Sequence, residues 1–310
     1  MPKNKKIVVT GGAGFIGSNI VRTLCEENEV TVIDNLITGH YENLSGIEDR
    51  HRFVRNDINN LEMLKREFQS ADYVLHQAAL PSVQRSVEDP ITSNMNNINA
   101  TLSVLVAARD CGVKKVVCAS SSSVYGDTLI LPKREDMNPN PKSPYAITKL
   151  AVEYYNRVFS EVYGLRTASL RYFNVYGPKQ DPNSQYAAVI PLFINRVLNK
   201  KPLIIFGDGL QTRDFTFVKD VVQANILAME SQAEGVFNIA CGHQTTLNDL
   251  ADRIMSIIGL EVKKVYQRPR KGDIKDSLAD ISRAKRMLGY EPRFDLNSGL
   301  KETIAWFQKI

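Results

Sequence analysis

The first apolar run of the chain, Lys6 to Thr10, ends directly on Gly11-Gly12-Ala13-Gly14-Phe15-Ile16-Gly17. A β-branched run, then glycines at three-residue spacing, then helix-spaced Ile16, Ile20, Val21 and Leu24 describe a strand, a tight turn and a helix. Glycine permits such a turn and lets backbone N–H groups approach a bound anion, at which the following helix points its positive end. A glycine pattern alone carries little weight, but its place between strand and helix raises it. The next apolar run ends in Asp34, 23 residues after Gly11. A carboxylate there accepts hydrogen bonds from the adenine ribose hydroxyls of a dinucleotide and repels a 2′-phosphate. Asn35 and Leu36 supply no compensating cation, so NAD is expected rather than NADP. Gly11, Gly14, Phe15, Ile16, Gly17, Asp34 and Asn35 are therefore candidate cofactor residues, with Asp57 and Ile58 placed for adenine. The plainer role for Asp57 is a strand-end cap.

Five further apolar runs follow the first: 29–34, 51–57, 71–79, 114–122 and 165–174. Helix-like spacing separates them, which argues for a parallel sheet with helices on both faces. After Asn174, Pro and Gly become frequent and the elements shorten. The expected architecture is α/β: a Rossmann-type doubly wound parallel sheet over residues 1–174, and a smaller mixed α/β substrate lobe over 175–310. The strand-like runs 215–218 and 235–240 suggest that residues 213–241 return to the first sheet.

The chain has 310 residues, 43% apolar and 24% charged, with a net charge of +5 spread along its length. That spread favours a solvated surface and a small anionic substrate over nucleic acid. Cys25, Cys111, Cys118 and Cys241 form no CxxC pair and have no neighbouring His at ligand spacing, so no metal site is expected. Reduced thiols, no signal-type apolar region before Ile7 and no run long enough to span a bilayer predict a soluble cytoplasmic protein without a membrane partner.

Tyr145 and Lys149 lie four residues apart at the start of a helical pattern running to Val162, on one face. A free phenol titrates near pH 10, and lowering it by about three units takes about 4 kcal/mol. A cation at about 4 Å with an effective dielectric near 20 supplies about that much. Lys149 and the nicotinamide charge are the two candidates. The plainer reading is a packed Tyr with a solvated Lys. Against it stands Ser120-Ser121-Ser122-Ser123, which follows a strand at the carboxyl end where open α/β sheets bind ligands. Ser121 is placed to hydrogen-bond the hydroxyl that Tyr145 deprotonates.

The segments TGGAGFIGS (10–18), DNL (34–36), HQAA (76–79), SSSSVYGD (120–127), SPYAITK (143–149) and RYFNVYGP (171–178) together resemble the extended short-chain dehydrogenase/reductase family. Within it the chain is similar to UDP-glucose and UDP-N-acetylglucosamine 4-epimerases, including the YAAVIP segment (186–191) of enzymes that serve surface polysaccharides. The resemblance implies Tyr145 as base, Lys149 as its electrostatic partner and Ser121 as helper. It places His76, Ala78 and Ala79 along the cofactor, with Asn97 structuring the neighbouring helix. Ser82, Ser122, Ser123, Asn174, Ala188 and Val189 would face the nucleotide-sugar. Arg213 and Arg270 would clamp its diphosphate, with Asp273 holding the ribose or the clamp.

Two departures narrow the reaction. Related dehydratases carry Thr-Asp-Glu where this chain has Ser121-Ser122-Ser123, and decarboxylases usually keep a Glu at Ser123. Serines cannot replace an acid and a base, whereas an epimerase needs neither carboxylate. Galactose-type members often carry a Tyr at the position of Ser277, and a smaller residue leaves room for a 2-N-acetyl group. The expected reaction is inversion of UDP-N-acetylglucosamine and UDP-N-acetylgalactosamine at C4 through a 4-keto sugar, with UDP-glucose and UDP-galactose as a second pair. The alternatives are a UDP-hexuronate 4-epimerase or decarboxylase, for which Arg85 is a candidate carboxylate-binding cation, and a non-catalytic dinucleotide-sensing protein. Residues 93–110 and 145–162 read as helices with apolar residues on more than one face, marked by Leu102, Leu105 and Val106 and by Val152, Tyr155 and Phe159. Their leftover faces suggest a homodimer joined as a four-helix bundle.

Overall fold

A computed structural model describes residues 2–182, 188–269 and 274–309. All six apolar runs form strands: β1 (Lys6–Thr10), β2 (Glu29–Asp34), β3 (Arg52–Arg55), β4 (Tyr73–His76), β5 (Lys115–Ser121) and β6 (Thr167–Tyr172). Beyond them lie β7 (Val175–Tyr176), β8 (Leu203–Phe206), β9 (Thr212–Arg213), β10 (Thr216–Phe217), β11 (Gly235–Ile239), β12 (Thr245–Thr246) and β13 (Lys264–Gln267). The helices are α1 (Phe15–Leu24), α2 (Leu61–Phe68), α3 (Val83–Glu88), α4 (Pro90–Asn94), α5 (Ala100–Asp110), α6 (Pro144–Tyr163), α7 (Val189–Leu198), α8 (Val218–Glu230), α9 (Leu247–Ile258), α10 (Ser282–Leu288) and α11 (Leu296–Phe307).

The central sheet has seven strands in the order β3-β2-β1-β4-β5-β6-β11, all parallel. Its order reverses direction between β1 and β4, and at such a switch point the loops part and leave a crevice at the carboxyl edge. Alternate residues of each strand enter opposite cores. Val117 packs with α1 and α8 on one face, and Val116 and Cys118 pack with α2, α5 and α6 on the other. A third core joins α7, α9 and α11 to β8 and β10 in the second lobe. The long helix α6 is well delimited. Ser143 Oγ accepts from the Ala146 N–H, Pro144 occupies the first turn, and Gly164 ends it at φ 69°.

Two expectations need correction. Run 235–240 does return, as β11 beside β6, but run 215–218 does not: Thr216–Phe217 pairs with β7 in a separate two-stranded sheet. The stretch 93–110 is not one regular helix. Met95–Asn99 forms a π-helical turn between α4 and α5, and Asn97 within it reaches the loop after β4. Among the described residues no helix is long and apolar enough to cross a membrane.

The returning strand is tied down by a buried cation. Lys115, 1% exposed, donates from Nζ to the carbonyls of Ser231 (3.0 Å) and Ala233 (2.6 Å) in the turn between α8 and β11. Burial, helped by the nearby Arg166 charge, lowers its pKa from 10.5 to about 8. The unfolded chain therefore binds more protons between about pH 8 and 10.5, so this residue makes stability rise with pH across that window. Denaturant unfolding at pH 8 and pH 10 should show this rise in the parent and a smaller one in Lys115→Met; equal slopes would refute the buried-lysine assignment.

Candidate active site

Steric fit defines the turn after β1. Gly11 has φ +69°, and a Cβ there would lie 2.6 Å from Ala78 N; a Cβ on Gly17 would lie 2.1 Å from Gly11 O. No side chain fits at either position, so the backbone of α1's first turn stays bare toward the crevice. Asp34 ends β2 and is 8% exposed. Its Oδ2 accepts from Ala13 N–H (3.0 Å) and its Oδ1 from Leu36 N–H (2.8 Å), which joins the glycine turn to the second strand. Burial lifts its pKa above the usual carboxylate value, opposed by those two bonds.

A cleft of about 410 Å³ opens along this edge. Gly11, Gly14, Phe15, Ile16 and Gly17 line it, with Asp34, Asn35, Ile58, Ala78, Ala79, Ser82, Tyr145 and Lys149. The bare glycine turn, the helix start and the strand-end carboxylate are what a dinucleotide requires, so the residues present fit NAD. Ile37, Thr38, Gln77 and Asn96 also line the cleft and were not foreseen. The first two follow Asp34 closely enough for sequence spacing to have suggested them.

Five of the residues singled out stand behind the wall rather than on it. Asp57 Oδ1 accepts from Asn59 and its Oδ2 from Asn35 Nδ2 (3.2 Å). Burial raises its pKa, but these bonds outweigh that and hold it below the usual value. Asn97 is buried; its Oδ1 accepts from Leu80 N–H (2.8 Å) and its Nδ2 donates to Thr148 Oγ1 (3.0 Å). Ser122 and Ser123 sit in a 3₁₀ turn, where Ser123 N–H donates to Ser121 Oγ. His76 lies inside the sheet end, between Thr10 Oγ1 (2.7 Å from Nδ1) and Thr101 Oγ1 (2.8 Å from Nε2). Thr101 gives its only hydroxyl proton to Asn97 O (2.6 Å). His76 must then donate from Nε2 and accept at Nδ1. Burial first, then the Lys149 charge, lower its pKa to about 3, so it is a neutral strut.

Tyr145 opens α6, and its backbone N–H donates to Ser86 Oγ of α3 (3.0 Å). The phenol is raised above its ordinary value by burial, while a hydrogen bond with Ser121 opposes the rise. Lys149 is 5% exposed and donates from Nζ to Ala119 O on β5 (2.8 Å). Burial pushes its pKa down to about 8. Its Nζ stands 5.9 Å from the Tyr145 ring centre, farther than the expected contact.

A second cavity, of about 590 Å³, lies in the other lobe. Asn174, Val189 and Arg213 line it, and Ala188 belongs to both cavities, so the two meet there. Arg213 donates from Nη1 to Thr212 O (2.8 Å) and Lys275 O (3.1 Å). Ser277 is held one strand away, its N–H on Thr212 O (3.2 Å). Arg270 and Asp273 lie outside the described residues. Sequence reasoning missed Phe206 and Phe215, which line this cavity. It also missed Asp214, fully buried, which accepts from the N–H groups of Cys241, Gly242 and Ala279. An Asp next to a candidate Arg in an apolar run was the available signal. Burial raises its pKa to about 6 against those bonds.

The steric argument at the glycine turn gives a direct test. Gly17→Ala should destabilise the protein by about 1–3 kcal/mol and abolish its retained dinucleotide, measured as nucleotide released on heat denaturation. Parental retention would contradict the close approach.

Comparison with known proteins agrees with this geometry. Residues 7–240 match the NAD dependent epimerase/dehydratase family. A putative UDP-glucose 4-epimerase of Methanocaldococcus jannaschii is 41% identical over 97% of this chain and 98% of its own. The UDP-N-acetylglucosamine 4-epimerase of Methanobrevibacter ruminantium, solved with UDP-N-acetylmuramic acid, superposes with a TM-score of 0.97 at 44% identity, covering 99% of both chains. The Thermus thermophilus UDP-glucose 4-epimerase, solved with NAD, gives 0.89 at 37% identity over 98% of this chain and 99% of its own. The chain thus belongs to the NAD dependent epimerase/dehydratase family and is an NAD-dependent enzyme of its UDP-sugar 4-epimerase group.

Proposed function

We propose that this enzyme inverts C4 of UDP-N-acetylglucosamine and UDP-N-acetylgalactosamine, with UDP-glucose and UDP-galactose as a second pair. The observation that carries the reading is the junction of the two cavities. Tyr145 and Lys149 line the cleft that fits NAD, and at Ala188 that cleft meets a second cavity lined by Arg213 and aromatic side chains. A nucleotide-sugar lying across that junction brings its hexose to Tyr145 and its diphosphate to Arg213.

Tyr145 takes the proton from the sugar 4-hydroxyl, and Ser121 holds the same oxygen by hydrogen bond. NAD, which the glycine turn and Asp34 would hold, would supply a hydride acceptor and donor for C4 and a positive ring charge near Lys149. That added charge matters because burial holds the phenol above its ordinary value. The proton stored on Tyr145 returns to the oxygen when C4 is reduced. Serines at 121–123 provide no carboxylic acid to expel a hydroxyl, which favours epimerisation over dehydration. Arg213, Arg270 and Asp273 are assigned to the nucleotide end and Ser277 to the space beside the 2-substituent. Arg85 lines the same cleft as Tyr145 and is the one observation that favours a uronate instead. Incubation with UDP-N-acetylhexosamines, UDP-hexoses and UDP-uronates, followed by NMR, should show inversion at C4 with the N-acetylated pair fastest. Tyr145→Phe should lower kcat by about 10²–10⁴. Inversion of uronates alone would replace the substrate assignment, and no inversion of any of them would remove the reading.

The second part of the proposal is a homodimer. Leu105, Val152 and Phe159 turn inward, so the leftover apolar face uses other residues. Val87, Ile91 and Met95 on α3, α4 and the π turn, with Ile147, Tyr154, Val158 and Val162 on α6, are exposed. Two copies meeting on this face would form the expected four-helix bundle. Val158→Glu should convert the dimer to monomer in light scattering; an unchanged mass, or a parent already monomeric, would exclude this interface.

A further inference from the structure

The face that α6 turns to the sheet carries a polar row beside its apolar Ala146, Val152 and Phe159. Positions 145, 149, 153, 156 and 160 fall on one side of a helix. Each meets β5, β6 or the turn before β6. Ser121 lies close enough to Tyr145 to lower its phenol, and Lys149 donates to Ala119 O (2.8 Å). Glu153 Oε1 accepts from Ser120 Oγ (2.5 Å), and Asn156 accepts from Cys118 Sγ (3.4 Å) while donating to Ser169 Oγ (2.7 Å). Ser160 Oγ meets Thr167 Oγ1 at 2.9 Å. Apolar contact is non-directional and tolerates small slips of a helix along a sheet. A ladder of hydrogen bonds does not, because each weakens steeply with misalignment.

Glu153 is the strongest rung. It sits one turn beyond Lys149, and its carboxylate also takes two bonds from Arg171 on β6, Nε to Oε1 (2.8 Å) and Nη2 to Oε2 (2.7 Å). Both side chains are nearly inaccessible, at 3% and 4%. The Arg171 guanidinium lies 4.6 Å from the Tyr125 ring centre, and Tyr125 donates to Asn238 on β11 (2.7 Å). The carboxylate thus joins α6 to the strand that bears Ser121 and to the next strand. Apolar residues of similar volume would serve stability as well or better, since desolvating a buried pair offsets its attraction. What they could not supply is a fixed register.

We infer that Glu153 is a positioning residue, locking α6 against the end of β5 so that Tyr145 meets Ser121 and the substrate oxygen. The inference rests on the assignment of Tyr145 as the base. The Glu153→Met/Arg171→Met double variant tests it, because the pair is neutral as a unit and its removal changes no net charge. The NAD-loaded double variant should keep the parent's melting temperature and bound nucleotide. Its kcat for C4 inversion should fall about 10–100-fold, as for a small misplacement of reacting groups, with KM within about twofold of the parent. The Tyr145 ionisation, read by ultraviolet difference titration against Tyr145→Phe in each background, should move by about half a pH unit or more. Parental kcat and an unmoved ionisation would reduce Glu153 to a stabilising role. If the double variant does not fold, single variants decide. Glu153→Gln keeps an acceptor for Ser120 and should retain more kcat than Glu153→Met, and equal losses would overturn the proposal. The titration needs no substrate, so it judges the positioning even if no UDP-sugar is inverted.

Discussion

The buried ammonium of Lys149 is the constraint around which the site is arranged. A cation removed from water is expensive unless bonded. Its partner on β5 is a backbone carbonyl, Ala119 O, and burial still lowers its pKa to about 8. That value is compatible with a charge near neutrality and leaves little margin. The same burial raises the neighbouring phenol. Burial therefore works against the charged form of both groups, and positive charge added at the crevice favours the phenolate. NAD, the family's cofactor, brings that charge to the oxidised state of the site. Base strength and cofactor oxidation state are thereby linked through one lysine.

Holding that balance requires a neutral neighbourhood. His76 lies close enough for Lys149 to depress it, and a second cation there would drive Lys149 toward its neutral form. The Thr10–His76–Thr101–Asn97 chain fixes the ring in one tautomer and keeps it uncharged. Asn97 extends the same chain to Leu80 and Thr148, which ties the wall of the cleft to the helix bearing Tyr145. The π turn at Met95–Asn99 gives this amide its reach.

What could be read in advance was set by local sterics and spacing. Glycines at 11 and 17 are demanded by atoms a few residues away or just past the adjoining strand, and Asp34 is fixed by the end of its own strand. The six strands were legible because runs buried on both faces are continuously apolar. The misreadings share a non-local cause. Whether 215–218 joins the large sheet depends on competition with β11, which lies nearly twenty residues later. The partners of Asn97 were likewise hidden, because Leu80 and Thr148 lie 17 and 51 residues away. The apolar positions of α6 show that two faces exist, but not that Val152 and Phe159 face the core while Tyr154 and Val158 face outward. Phe206 and Phe215 acquire their role only when α7 and β8 are folded beside each other.

The two lobes grip with unequal firmness, and the proposed reaction depends on that inequality. Arg213 is fastened by two backbone carbonyls, and the next residue, Asp214, binds three backbone N–H groups from two distant segments. The nucleotide end of the site is thus a rigid frame. At the reacting end the side chains beside Tyr145 are short, among them Ala79 and Ser82. A 4-keto hexose held by its diphosphate can turn there without breaking the contacts that retain it. Firm hydrogen bonding to the hexose would hold one face toward the cofactor and leave a dehydrogenase.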